Sequence, residues 1–245
     1  MKDLDELLRL FRPPGTDHLR PRVLAFFVLL PLVLDLGSKY AMSQQLRFHL
    51  SHRQLQLYSA DSMDPKQASG VATQEGAEWI RLPLIPAKWL RLRLVFNDRQ
   101  AFSHGPIQSE GGLLKTMGLY WLLLLAYWRF GSAIPSGFYQ RGWALLVAGA
   151  SGNQIDRLWI KSLTTKEWVF SLSARRGFIS GVTDFIDLIW FDWHAWQDIP
   201  GGWLLAFDRW PIFNLADSFI LCGLLSISYC LLRLPARDWQ FVISK

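Results

Sequence analysis

Two aspartates stand where apolar segments meet polar ones, Asp184 in GVTDFID and Asp217 in FNLADS, at the start of the last apolar stretch. An ionisable carboxyl at the edge of a hydrocarbon layer is costly unless it is paired, hydrated or used. Two carboxyls in different surroundings suit peptide hydrolysis by water, because one can activate the water while the other protonates the leaving nitrogen. The sequence therefore makes both residues candidate catalytic groups.

The surroundings of the two aspartates predict different roles for them. Asn214 is predicted to cap a helix, with Asp217 in the first turn, where the helix dipole favours an ionised carboxylate. Asp184 stands among apolar residues and near several tryptophans, which disfavours charge on it. We therefore expect Asp217 to be the base and Asp184 the initial acid. FNLADS taken alone is also explained by a capping box with Asp in place of Glu.

Three further clusters concentrate polar residues near apolar stretches: DLGSK at 35–39, NDRQAFS at 97–103 and GNQIDR at 152–157. Asp35 and Lys39 are four residues apart, so on a helix they share a face and can form an ion pair that anchors it. Asn153 and Asp156 end an apolar run and need hydrogen-bond partners. Arg157 suits a substrate carbonyl or lipid phosphate, and equally suits simple neutralisation of Asp156.

Four apolar stretches reach or approach the roughly 20 residues that a spanning helix needs: 23–42, 112–129, 142–160 and 212–232. They predict an all-α membrane protein with four transmembrane helices in a single domain over 1–245. Ten Lys and Arg fall in the 48 residues of 1–22, 129–141 and 233–245, against fourteen in the 121 residues of 43–110 and 157–209. This bias predicts cytoplasmic termini and extracytoplasmic loops at 43–110 and 161–211.

Two features predict how these elements are arranged. WLRLRLVF, in the first long loop, alternates apolar and basic residues and predicts a strand in a small extracytoplasmic sheet that caps the helices. Gly149 and Gly152 predict that another backbone approaches the third helix closely. Residues 59–77 are rich in Ser, Gly, Ala and Gln and predict a flexible excursion.

The composition of the chain limits the classes of partner and cofactor that we expect. Of its 245 residues, 51% are hydrophobic and 19% charged, and the net charge is +6. No basic stripe with interleaved aromatics is present, so membrane lipids are the expected counter-charge and nucleic acid is not an expected partner. The five histidines show no metal-ligand spacing such as HExxH, so we expect no metal and no cofactor.

The clusters DLGSK, GNQIDRLW, V-x-DFID and FNLADS, in this order, resemble the lipoprotein signal peptidases (signal peptidase II), four-helix membrane aspartyl peptidases of bacteria. The resemblance covers the whole membrane part of the chain. It implies a catalytic pair, a set of pocket residues and a set of supporting residues. These are, respectively, Asp184 and Asp217; Asn97, Asn153, Arg157 and Asn214; and Asp35, Lys39 and Asp156.

The resemblance also implies an activity. The family cleaves a diacylglyceryl-modified prolipoprotein before its lipidated cysteine, on the outer side of the bacterial inner membrane, without metal or cofactor. We expect this chain to do so as a monomer. Arg99 stands where the family has glycine, and an Arg cannot copy the φ range of glycine, so this part of the pocket wall must be rebuilt. Insertions lie at 159–180 and between Asp184 and Asp217, and the first external loop is enlarged.

Two other functions compete with this prediction. A non-catalytic relative would use the same fold to bind lipid or lipoprotein, with the pocket altered by Arg99 and the enlarged loops. A transporter is disfavoured, because no charged residue falls near the middle of a predicted span.

Overall fold

Four helices occur among the residues that the computed structural model describes, which are 25–48, 76–86, 89–97, 112–131, 134, 136–162, 165–172, 178–188, 200 and 211–233. A π-helical segment, Ala25–Leu29, leads into helix α1. The α-helices are α1 (Leu30–Gln45), α2 (Gly112–Phe130), α3 (Gly137–Leu158) and α4 (Leu215–Arg233). Their bounds are close to those of the four predicted apolar stretches.

Two of these helices satisfy the length and composition of a membrane span: Ala25–Gln45 and Leu215–Arg233. Large apolar side chains are also exposed along α1, α2 and α4, among them Val33, Leu114, Leu122, Leu225 and Leu232. Contiguous exposed apolar surface is unusual on a protein surrounded by water and is normal on one that contacts lipid.

The chain divides into two structural units. The first comprises the described parts of Met1–Leu36, Leu114–Gln154 and Leu215–Lys245. Its apolar core is a cluster of buried side chains, formed by Ile134, Tyr139, Trp143, Leu146 and Ile227. A polar contact also joins α2 to α3, because the hydroxyl oxygens of Tyr120 and Ser151 are 2.8 Å apart.

Glycines bring α3 close to α4 within the first unit. A Cβ at Gly149 would lie 2.3 Å from the carbonyl oxygen of Ala216, and one at Gly142 would lie 2.8 Å from the Cβ of Ser226. Real Cβ atoms almost never lie this close to such neighbours, so the packing distance requires glycine at both positions. The close approach predicted at Gly149 is confirmed.

The second unit comprises the described parts of Gly37–Leu113 and Ile155–Asn214. One antiparallel sheet has the strand order β1 (Ile80–Arg81), β2 (Leu90–Asn97) and β6 (Val182–Leu188). The pairing of β2 with β6 shifts register between Leu92 and Val95, which is a β-bulge. The strand predicted from WLRLRLVF is confirmed as β2.

A second antiparallel sheet has the order β4 (Trp168–Phe170), β3 (Trp159–Ser162) and β5 (Phe178–Ile179). The chain thus leaves α3 at Leu158 and enters β3 at once. The sequence predicted one small sheet, whereas the described residues form two. The additional strands were not predicted because β3 to β6 are short or lack the polar and apolar alternation that identifies a half-exposed strand. The excursion predicted at 59–77 lies outside the described residues except for Gly76 and Ala77, and Ala77 forms an isolated bridge with Leu46.

Candidate active site

Asp184 lies on β6 in the second unit, with a side chain that is 3% exposed. The Nδ2 of Asn214 donates a hydrogen bond to its Oδ1 at 2.6 Å. The contact is possible because Phe213 forms an isolated antiparallel bridge with Ile186, which draws the chain just before α4 alongside β6. Asp184 therefore has a polar partner, and its strand also carries the buried polar residues Thr183 and Asp187, so its surroundings are less apolar than the sequence suggested.

Asp217 lies in the first turn of α4 in the first unit and is half-buried. The Nδ2 of Asn153, on α3, donates to its Oδ1 at 2.8 Å. The close packing of α3 on α4 at the glycines permits this short contact. Asp217 is thus held by a second asparagine, in the electropositive first turn of its helix.

Asp35, on α1, supports the start of α4 within the same unit. Its Oδ1 accepts a hydrogen bond from the backbone N–H of Ala216 at 2.9 Å. That N–H belongs to the first turn of α4, where no carbonyl of the helix can receive it, so Asp35 acts as a cap supplied by another helix. A Cβ at Gly152 would lie 2.4 Å from Asp35 Oδ2, so the glycine is needed to admit this carboxylate.

Asp156, in the last turn of α3, is fully buried in the second unit and lies between two lysines. Its Oδ2 is 3.6 Å from the Nζ of Lys39, and its Oδ1 contacts the Nζ of Lys161. The sequence left open whether Arg157 neutralises Asp156. In the structure the two lysines provide the balancing charge.

The remaining predicted pocket residues are at the ends of their elements. Asn97 ends β2 opposite Val182 of β6 and is exposed. Arg157 lies in the last turn of α3 and is half-buried. Arg99 and the rest of NDRQAFS after Asn97 lie outside the described residues.

Sequence reasoning missed four buried or paired polar residues: Arg91, Lys161, Thr183 and Asp187. Lys161 lies within the insertion at 159–180. Asp187 and Thr183 lie within GVTDFID. The arginines that alternate with apolar residues in β2 were a signal that a carboxylate would lie opposite them. Within the described ranges, no group of three or more His, Cys, Asp or Glu side chains is placed to hold a metal ion.

Apolar helices of spanning length, and two carboxylates that each accept a hydrogen bond from an asparagine amide, define a candidate hydrolase at a membrane. The chain belongs to the signal peptidase II family, since the profile described as signal peptidase (SPase) II matches residues 27–233. It is therefore a peptidase of a membrane-enzyme family, which favours the catalytic function over the non-catalytic alternative.

Two relatives named lipoprotein signal peptidase agree with this membership. The lipoprotein signal peptidase of Leptospira biflexa is 25% identical over 95% of this chain and 97% of its own length. That of Treponema denticola is 31% identical over 54% of this chain and 62% of its own. A solved bacterial membrane enzyme, determined by the in meso method, aligns over 86% of this chain and 87% of its own with 21% identity and a TM-score of 0.48.

Proposed function

We propose that this chain is an aspartic endopeptidase that removes the signal peptide from diacylglyceryl-modified prolipoproteins by cutting before the lipidated cysteine. Membership of the signal peptidase II family supports the reaction class. The relatives named lipoprotein signal peptidase support the substrate class, and the Leptospira enzyme matches nearly the whole chain.

Asp184 and Asp217 are the two carboxylates of the proposed reaction. The observation that carries this assignment is that each has one oxygen fixed by an asparagine amide, Asn214 for Asp184 and Asn153 for Asp217. An amide donor orients a carboxylate without adding a competing charge, so the group stays available for proton transfer. In the proposed mechanism Asp217, in the first turn of α4, activates the water, and Asp184 protonates the leaving nitrogen.

The other polar residues have supporting roles in this proposal. Asn153 and Asn214 orient the carboxylates and bind the substrate, and Asn97 and Arg157 are further substrate-binding groups. Asp35 supports the reaction by capping the helix that carries Asp217. Lys39 and Asp156 support it as a buried ion pair.

The proposed setting is the bacterial inner membrane. All four helices span it, the termini are cytoplasmic, and the sheets with the active site are extracytoplasmic. The protein works as a monomer in contact with membrane lipids and needs no metal or cofactor. The exposed apolar side chains of α1, α2 and α4 support this placement.

The decisive experiment replaces each catalytic carboxylate by its neutral isostere. Purified Asp184→Asn and Asp217→Asn variants are incubated with a lipidated prolipoprotein, and the released signal peptide is detected by its mass. We expect each variant to lose cleavage by about 10²- to 10⁴-fold, because a carboxamide can neither activate water nor donate the required proton. A cyclic peptide inhibitor of the family, such as globomycin, should block the wild-type reaction.

The control is Asp61→Asn, the same substitution in the Ser-rich and Gly-rich stretch of the first long loop. It should cleave like the wild type. Substantial cleavage by either active-site variant, with the protein inserted and folded, would reject the pair. Binding of the lipopeptide without any cut by the wild type would instead indicate the non-catalytic relative.

A further inference from the structure

Lys161 of β3 is a fully buried lysine for which the proposed reaction has no role so far. Its Nζ donates to the Asp156 side chain, to the backbone carbonyl of Asp156 at 2.9 Å and to the backbone carbonyl of Gly181 at 3.1 Å. An ammonium has three N–H groups, and here each meets an oxygen. A buried charge is tolerated only with such complete pairing, so this is a specific arrangement.

Asp156 connects Lys161 to strand β6. Its Oδ2 accepts the backbone N–H of Thr183 at 2.6 Å, and its Oδ1 accepts the Thr183 hydroxyl at 3.2 Å. Lys161 therefore holds the backbone at two points: directly at Gly181, just before β6, and through Asp156 at Thr183 in β6. Asp184 is the next residue along the strand.

The backbone at the first of these points has an unusual conformation. Gly181 has a φ of 144°, which side-chain-bearing residues rarely adopt. The strand begins at Val182, directly after it. The bond from Lys161 to the Gly181 carbonyl thus holds a part of the chain whose own preferences would not fix it.

Aromatic rings complete the enclosure of the ammonium. The Nζ of Lys161 lies 4.7 Å from the ring centre of Trp168 and 5.6 Å from that of Phe96. Ring faces stabilise a cation and exclude water from it. Burial lowers the pKa of Lys161, whereas the negative charges of Asp156 and Asp184 oppose that shift and the positive charge of Lys39 adds to it.

We propose that Lys161 is a positioning residue for peptide cleavage, which ties the end of α3 to the backbone on both sides of Val182 and so fixes the direction of Asp184. The inference rests on the proposed function, because it treats Asp184 as a catalytic carboxylate. Lys161 itself does not contact the reacting atoms.

The test measures kcat and KM for Lys161→Met with a lipidated prolipoprotein, per molecule in the monodisperse folded fraction. Methionine keeps the length of the chain and removes the charge and all three donors. We expect kcat to fall on the order of 10²-fold, the cost of a displaced catalytic group, while KM stays within about threefold. Lys115→Met, the same substitution at an exposed position on α2, should leave both constants unchanged.

Thr183→Val provides a second variant if Lys161→Met fails to fold. It removes one hydrogen bond to Asp156 and conserves volume, so kcat should fall about 3- to 10-fold. When Lys161→Met and Thr183→Val are combined, kcat should fall by less than the product of the two single decreases, because both residues act through Asp156.

The outcomes separate this inference from the function on which it rests. Asp184→Asn that still cleaves would reject the proposed function itself. If Asp184→Asn is inactive, an unchanged kcat in folded Lys161→Met overturns the positioning role, even when its melting temperature falls. An unchanged kcat in Thr183→Val, or losses that simply multiply, overturns it as well.

Discussion

At the scale of single residues, the most informative property of this chain is how its buried charges are paired. Asp35 meets a helix N-terminus, Asp156 meets two lysines, and Asp187 meets an arginine. Each arrangement offsets the cost of removing a carboxylate from water. Removing one partner should therefore cost more than the net contribution of the pair.

The Arg91–Asp187 pair allows a direct test of this reasoning. The two residues are directly opposite on β2 and β6, and the Nε of Arg91 is 2.7 Å from Asp187 Oδ2. The Arg91 side chain is 23% exposed, whereas Asp187 is fully buried. We expect Arg91→Leu to lower the free energy of unfolding by about 1.5–3 kcal/mol, the range for hydrogen bonds to charged groups, because it removes the charged hydrogen bond that Arg91 donates to a buried carboxylate. Thermal unfolding in detergent measures the loss.

The matched variant is Arg91→Leu combined with Asp187→Leu. Replacing both charges by apolar side chains removes the buried carboxylate together with its arginine, so most of the stability should return. A double variant no more stable than Arg91→Leu alone would show that the loss does not come from the charge of the buried Asp187 carboxylate.

At the scale of elements, α3 and β6 make the contacts that position the candidate catalytic groups. α3 packs on α4 through glycines and carries Asn153 to Asp217. β6 pairs with β2 and with Phe213, and so brings Asp184 to Asn214. The candidate catalytic groups thus depend on contacts between backbones.

The glycine contact predicts a clear effect for Gly149→Ala. The added Cβ would lie 2.3 Å from the Ala216 carbonyl oxygen and 2.8 Å from Ile220 Cγ1, so the helices must separate. We expect a loss of about 1–3 kcal/mol in the free energy of unfolding, which is typical of overpacking. A lower melting temperature and a weaker cleavage rate should accompany it.

Gly118→Ala on α2 is the control, since nothing lies within 4 Å of its added Cβ. It should be neutral or slightly stabilising, because alanine favours helix by up to about 1 kcal/mol over glycine. Equal losses in the two variants would refute the steric explanation.

The elements differ in how well the sequence predicts them. The helices were predictable, because long apolar runs have few other stable conformations. β2 was predictable from its alternation of apolar and basic residues. β6 was not, because VTDFIDL is buried at nearly every position, and a strand buried on both faces shows no alternation.

At the scale of the whole molecule, the proposed topology can be tested with fusions. Alkaline phosphatase is active only outside the cytoplasm, so we expect activity after fusion at Asp61 and none after fusion at Lys245. The reason is the higher density of Lys and Arg in the termini and the short middle loop. A green fluorescent protein at the same two positions should give the reverse pattern. Phosphatase activity at the C-terminus would reject the proposed four-span orientation.

The sequence by itself determined the helices, the glycine contact on α3, strand β2 and the motifs GNQIDR and FNLADS, which contain Asn153 and Asn214. These are encoded locally, by periodicity and by residue types at short spacing. The tertiary structure alone decided the partners of the buried charges. Asp184 and Asn214 are 30 positions apart, and Ala216 and Asp35 are 181 apart. Such pairings depend on the path of the chain between them, and local spacing carries no record of that path.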